Sequence, residues 1–209
     1  MNPNEELQRR LSECPLVAII RGVTPTDAEA IGEAIYGGGI RIIEVPLNSP
    51  DPLESIGILA RSLGDRALIG AGTVLSVDDV ARVRDAGGRI IVSPNTDTEV
   101  IAAAAAAGLV SAPGFYTPSE GFEALKAGAH ALKLFPAEAA SPAVVKAMRA
   151  VLPKTVPVLV VGGVKPGNMR AYLDAGASGF GLGSGVYRPG QSAAEVAAQA
   201  EAYVRGLSG

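Results

Sequence analysis

The sequence is poor in the residues that several protein classes depend on. Its 209 residues include one cysteine, Cys14, one histidine, His130, and no tryptophan. A lone cysteine closes no disulfide within the chain, which excludes a stapled secreted scaffold. One histidine leaves little for a zinc site, which normally takes several His or Cys ligands, so no metal is expected. Neither sign of charge dominates: 18 Lys and Arg against 21 Asp and Glu leave a net charge of -3. That mildly acidic balance, with a pI near 5.3, argues against nucleic acid as the main partner. No stretch approaches the roughly 18 uninterrupted apolar residues of a membrane span. The opening MNPNEELQRRLSECP has no apolar signal-peptide core. No membrane partner is expected, and by elimination the expected compartment is the cytoplasm.

What the chain does have is apolar residues, 48% of the total, and a mean hydropathy of +0.28. With no membrane segment, these have to fill an interior. Surface scaling for this mass gives about 9,000 Å² of folded surface and roughly 70% of the extended chain's surface buried. That supports a substantial core without staples, and no composition shift marks a boundary. The expectation is one domain over residues 1–209.

A rhythm runs through the sequence. A short apolar run leads to a Gly, Pro, Ser or Thr turn and then to an amphipathic segment. The apolar runs are 16–20, 40–45, 67–70, 89–92, 109–112, 130–135, 156–161 and 178–183. Their length and β-branched content predict buried strands of a parallel sheet. Helical patterns lie between them, at 25–36, 51–63, 77–86, 97–107, 118–127, 142–152, 166–175 and 192–206, after a first helix near 4–13. Thr24 with Pro25 behind it marks one helix start. Eight strand–helix units suggest a closed (β/α)8 barrel, the TIM barrel, of class α/β with an N-terminal helix. An open doubly wound sheet is the alternative, but no GxGxxG follows the first strand.

In such a barrel the chemistry belongs to the C-terminal ends of the strands. The chain has five lysines, and Lys133 alone lies inside an apolar strand, AHALKLFP. Burial disfavours the ammonium form and raises the fraction of nucleophilic amine. A desolvated lysine forms Schiff bases with carbonyl substrates; a structural lysine paired to a carboxylate is the other possibility. Glu44 is the second charge in an apolar strand. Alternation places Ile40, Ile42, Glu44 and Pro46 on one face, and Ala131, Lys133 and Phe135 on one face of theirs. If both faces point inward, an amine and a proton-transfer acid share one pocket; a buried ion pair without catalysis is the alternative.

Two glycine-rich stretches, VVGGVKPGN and GLGSGVY, end the seventh and eighth strands. Strand-end backbone of this kind, with the following short helix, suits a phosphate; ordinary strand-end turns are the alternative. Arg21 and Thr73 end the first and third strands and would supply an anion partner and a hydroxyl, unless they form a surface salt bridge and a helix cap. Together with Lys133 they describe a site for a small phosphorylated keto acid. His130 is read as a packed or rim residue, Cys14 as a packing thiol. Phe115 and Tyr116 are candidates for the mouth, with aromatics that simply cover a core as the other reading.

EVPLNSP, GAGTV, SPN, PGFYTP, ALKLFP, VGGV and GLGS occur here in an order that resembles the bacterial 2-keto-3-deoxy-6-phosphogluconate and -galactonate aldolases. The resemblance runs from about residue 15 to 205. It implies a class I aldolase on a trimeric (β/α)8 barrel that releases pyruvate and glyceraldehyde 3-phosphate from a phosphorylated 2-keto-3-deoxy sugar acid. By this resemblance Lys133 is the Schiff-base lysine and Glu44 the acid/base. Arg21 and Thr73 contact the substrate, Phe135 packs beside the imine, and Gly162, Gly163, Gly183 and Ser184 hold the phosphate. No cofactor is implied beyond the covalent imine on lysine. The gluconate branch resembles EVTLRT and carries Thr before its GG pair. This chain has EVPLNSP and Val161, with Ser49 read in the place of that branch's arginine, and is similar to the galactonate branch. The alternatives are a gluconate or 4-hydroxy-2-oxoglutarate aldolase, and a phosphosugar-binding barrel that is not an aldolase.

Overall fold

The structure, a computed structural model, describes residues 2–208. Helix α1 (Pro3–Glu13) precedes β1 (Leu16–Ile19). Then follow α2 (Pro25–Gly37), β2 (Ile42–Pro46), α3 (Pro52–Leu63), β3 (Leu68–Gly72), α4 (Val77–Asp85), β4 (Ile90–Val92) and α5 (Thr98–Ala106). The second half runs β5 (Val110–Ala112), β6 (Gly114–Phe115), α6 (Pro118–Lys126), β7 (Leu132–Leu134), α7 (Pro142–Val151), β8 (Val158–Val161), α8 (Met169–Asp174), β9 (Gly179–Leu182) and α9 (Ala193–Arg205).

All the pairings are parallel, in the order β5-β4-β3-β2-β1-β9-β8-β7-β6. Only Pro113, which has no N–H to give to a ladder, separates β5 from β6. The backbone N–H groups of His130 and Lys133 donate to the carbonyls of Ser111 and Pro113 across this break. β5 and β6 are thus one interrupted strand, and the sheet closes into an eight-membered barrel with an N-terminal helix. The accessible surface of 8638 Å² agrees with the scaling value.

Side-chain alternation sorts the buried residues into two layers. Val17, Ile42, Leu68, Ile90, Val110, Ala131 and Leu159 form the barrel interior. A larger layer, including Ile43, Val45, Ile69, Leu132 and Phe180, packs between strands and helices. Leu7 and Leu11 of α1 belong to the interior cluster. One turn apart, they share a helix face and plug the N-terminal mouth. A capping box fixes the start of α1: the Glu5 N–H donates to Asn2 Oδ1 at 2.8 Å, and the Asn2 N–H to Glu5 Oε2 at 3.1 Å. With this end filled, the pocket that joins the strand-end residues lies at the C-terminal ends of the strands.

Three sequence expectations need correction. Ile40 does not share the face of Ile42 and Glu44; it packs in the outer layer, because β2 starts at Ile42 and alternation does not extend before it. Phe115 does not line the mouth; it is a buried β6 residue of the outer layer, and Tyr116 packs against that layer. Thr24 does precede α2, but its hydroxyl donates to Asp27 Oδ2 at 2.9 Å instead of accepting from the helix backbone. Cys14 is a buried packing thiol whose pKa burial pushes up. His130 precedes β7, and its Nδ1 accepts the Ser111 N–H at 3.1 Å.

Candidate active site

β2 and β7 each carry one ionisable residue on the inward face. Glu44 is 1% exposed and Lys133 7% exposed. Both line an internal cavity of about 20 Å³ walled by Val92, Ala112 and Leu159. One water molecule needs about 10–15 Å³, so the cavity that both residues line has room for one. Among the described residues Glu44 and Lys133 form no direct ion pair, and Glu44 Oε2 has no hydrogen-bond partner. The carboxyl group lies against Gly72 of β3, where any side chain would overlap it.

Burial pushes the Glu44 carboxyl group up to about 7, against the pull of the Lys133 and Arg21 charges. Burial also lowers the Lys133 pKa; the Glu44 charge opposes that shift and Arg21 adds to it. Both groups are driven toward their neutral forms, which for the amine is the nucleophile. Lys133 Nζ sits 4.8 Å from the Phe135 ring centroid.

A second cavity of about 540 Å³ shares Ile19, Val161 and Gly181 with the first. It brings together Arg21, Phe135, Gly162, Gly163, Gly183 and Ser184. Gly162 and Gly163 have φ of 118° and 64°, a region that L side chains rarely adopt. Arg21 donates from Nη1 to Asn48 Oδ1 at 2.7 Å, and the Gly22 N–H donates to Ser49 Oγ at 2.9 Å. These two bonds tie the rims of β1 and β2. Matching EVPLNS to EVTLRT from the shared glutamate puts Asn48, not Ser49, at the arginine position; Ser49 is a buried rim tie.

Thr73 lies apart from the others. It directly follows Gly72 but lines neither cavity. It does not cap α4 either, since Ser76 accepts the Asp79 N–H. Its φ of 57° is a left-handed conformation that a β-branched residue adopts only at a cost.

Lys165, Arg188 and Glu138 also line the larger cavity. Lys165 lies within the first glycine-rich stretch and Arg188 directly follows the second, so both belong to strand ends, as Arg21 does. Arg188 Nε donates to the Ser184 carbonyl at 3.0 Å. Tyr203, on α9, had no local signal, because it reaches the cavity from the last helix. Among the described residues no group of three His, Cys, Asp or Glu is placed to hold a metal ion.

A buried amine and carboxyl group at the filled core of the barrel, next to a cation-lined pocket, fit carbonyl chemistry on an anionic substrate. Comparison with known proteins agrees. The family model described as "KDPG and KHG aldolase" matches residues 7–198. The 2-dehydro-3-deoxy-6-phosphogalactonate aldolase of Escherichia coli K12 is 46% identical over 93% of this chain and 95% of its own length. A probable 2-dehydro-3-deoxy-6-phosphogalactonate aldolase of Rhizobium meliloti is 47% identical over 88% of this chain and 87% of its own. The KHG/KDPG aldolase of Escherichia coli K12 is 32% identical over 78% of this chain and 76% of its own. Among solved structures, one described as native KDPGal superposes with a TM-score of 0.92 at 46% identity, covering 94% of this chain and 95% of that one. A Legionella pneumophila KDPG aldolase, described with pyruvate captured as a covalent carbinolamine, gives 0.85 at 28% identity and covers 98% of each chain. On its sequence and its fold, the chain belongs to the KDPG and KHG aldolase family.

Proposed function

We propose that the chain is a class I aldolase, a single domain over residues 1–209, that cleaves 2-dehydro-3-deoxy-6-phosphogalactonate to pyruvate and glyceraldehyde 3-phosphate. The observation that carries this is the placing of the Lys133 amine and the Glu44 carboxyl group on one internal cavity that adjoins the cation-lined pocket.

Neutral Lys133 adds to the C2 carbonyl; an N–C bond forms, the carbonyl π electrons go to oxygen, and a proton passes from the ammonium nitrogen to that oxygen. Protonated Glu44 gives its proton to the resulting hydroxyl, which leaves as water, and the iminium ion forms. Ionised Glu44 then takes the C4 hydroxyl proton. The C3–C4 bond breaks, its electrons pass to the iminium nitrogen, and glyceraldehyde 3-phosphate departs. The enamine takes at C3 the proton that Glu44 received, water adds at C2 and gives a proton back to Glu44, and release of pyruvate restores the amine. A carboxyl group that titrates near 7 serves both as acid and as base at neutral pH. The iminium ion is the electron sink, so the scheme needs no metal or cofactor.

Phe135 packs beside the imine, and Arg21 contacts the substrate; Thr73, which lines neither cavity, is left out of this assignment. Gly162, Gly163, Gly183 and Ser184 hold the phosphate. Attraction of a strongly anionic substrate to a chain of net charge -3 is local, from the cations at the pocket. The galactonate reading is supported by identities of 46% and 47% to relatives of that name, against 32% for the KHG/KDPG aldolase. The carbinolamine described for the Legionella protein supports amine chemistry. We further infer a homotrimer from the family resemblance, and a cytoplasmic place in galactonate catabolism. No helix among the described residues is long and apolar enough to cross a membrane.

The test of the substrate is a pyruvate-release assay, coupled to lactate dehydrogenase, on the galactonate and gluconate epimers with one preparation. A higher kcat/KM for the galactonate epimer is expected. A preference for the gluconate epimer overturns the substrate assignment, and absence of pyruvate from both overturns the aldolase.

A further inference from the structure

One acid stands among the cations of the larger cavity. Arg21, Lys165 and Arg188 line it, and so does Glu138. Glu138 lies in the turn Ala137–Ala139, which follows the strand that carries Lys133. Its side chain crosses both glycines that end β8. A Cβ on Gly162 would run into Oε2 and Cδ of Glu138, and one on Gly163 would stand 3.2 Å from its Cγ. The carboxylate therefore occupies space against Gly162, and the stem of the side chain lies against Gly163, the two glycines assigned to the phosphate.

A carboxylate kept for stability would be paired. Among the described residues Glu138 enters no ion pair, although three cationic residues share its cavity. It is also exposed, so its charge is not one the core requires. Its effect falls on whatever enters the pocket. A phosphate and a carboxylate repel each other, and both would seek the same cations. A terminal hydroxyl behaves differently: it is a donor, and a carboxylate accepts from it.

We propose that Glu138 is a specificity-determining residue, a carboxylate that competes with the substrate's phosphate for the glycine cradle. It thereby limits the preference of the enzyme for phosphorylated over unphosphorylated 2-keto-3-deoxy acids. This rests on the aldolase reading above and adds to it how the anion end of the site is set. The cost in phosphate affinity also loosens the phosphorylated aldehyde product, which has to leave past the same residue.

Glu138→Gln keeps the shape of the side chain and removes the charge. The measurements are Ki of inorganic phosphate against cleavage, and kcat/KM for the phosphorylated acid and its unphosphorylated counterpart, by pyruvate release. The variant should bind phosphate about twofold to fivefold more tightly, the effect of one partly solvated charge contact. The ratio of the two kcat/KM values should rise by a similar factor. Phosphate binding that is unchanged or weaker in Glu138→Gln overturns the proposal. Failure of the wild-type protein to form a borohydride-stable adduct with pyruvate would overturn the aldolase reading instead, so the two failures are distinguishable.

Discussion

The carboxyl group of Glu44 lies against the α-carbon of Gly72 on the neighbouring strand, in space that any side chain at position 72 would take. A methyl group there has to displace the acid from the cavity it shares with Lys133. Gly72→Ala should therefore lower kcat by about 10- to 100-fold, since a displacement near 1 Å can cost that much. The loss should appear in kcat with a small change in KM. A variant with normal kcat would mean that the acid works from elsewhere.

Burial of Glu44 also has a consequence for stability. Its folded pKa is about 7, against an ordinary 4.5. Between these values the folded state holds a proton that the unfolded state has lost. Stability from this group is thus full below pH 4.5 and is lost as pH rises through about 7. The difference corresponds to about 3 kcal/mol. Glu44→Gln has no such proton to lose. Urea denaturation from pH 4 to pH 8 should show the variant gaining on the wild type by about 3 kcal/mol while its activity collapses. An unchanging difference would contradict a buried, neutral acid. The same substitution should remove the limb near pH 7 from the kcat/KM profile.

Tyr203 donates its buried hydroxyl to the Val164 carbonyl at 2.9 Å, and its ring packs against Gly185. One side chain from α9 thus braces both glycine-rich loops. Tyr203→Phe should cost about 1 kcal/mol of stability and raise KM for the phosphorylated substrate several-fold. Borohydride trapping of pyruvate, which has no phosphate, should be little affected. Equal losses in both assays would point to general unfolding instead.

The barrel was legible because each unit repeats one pattern, an apolar run followed by a capped amphipathic segment. Lys133 and Glu44 were legible because a charge inside an apolar strand is costly and needs a reason. Strand ends were less legible. Ile40 has the parity of Glu44 but precedes the ladder, and the break at Pro113 is visible only where hydrogen bonds cross it. The glycine stretches marked the anion pocket, whereas Glu138 did not stand out. An exposed glutamate in a turn looks like any solvated charge until β8 is folded against it. Thr73 sits at the correct strand end, but its left-handed φ could not be foreseen from a β-branched residue.

The proposed chemistry begins with one buried amine bonding covalently to the substrate ketone. Incubating the protein with pyruvate and borohydride, then mapping the modified peptide by mass spectrometry, tests it directly. A stable pyruvate-derived adduct on Lys133, absent from Lys133→Ala together with turnover, is the expected result. Normal turnover by Lys133→Ala, or an adduct on another lysine with Lys133 unmodified, would contradict it.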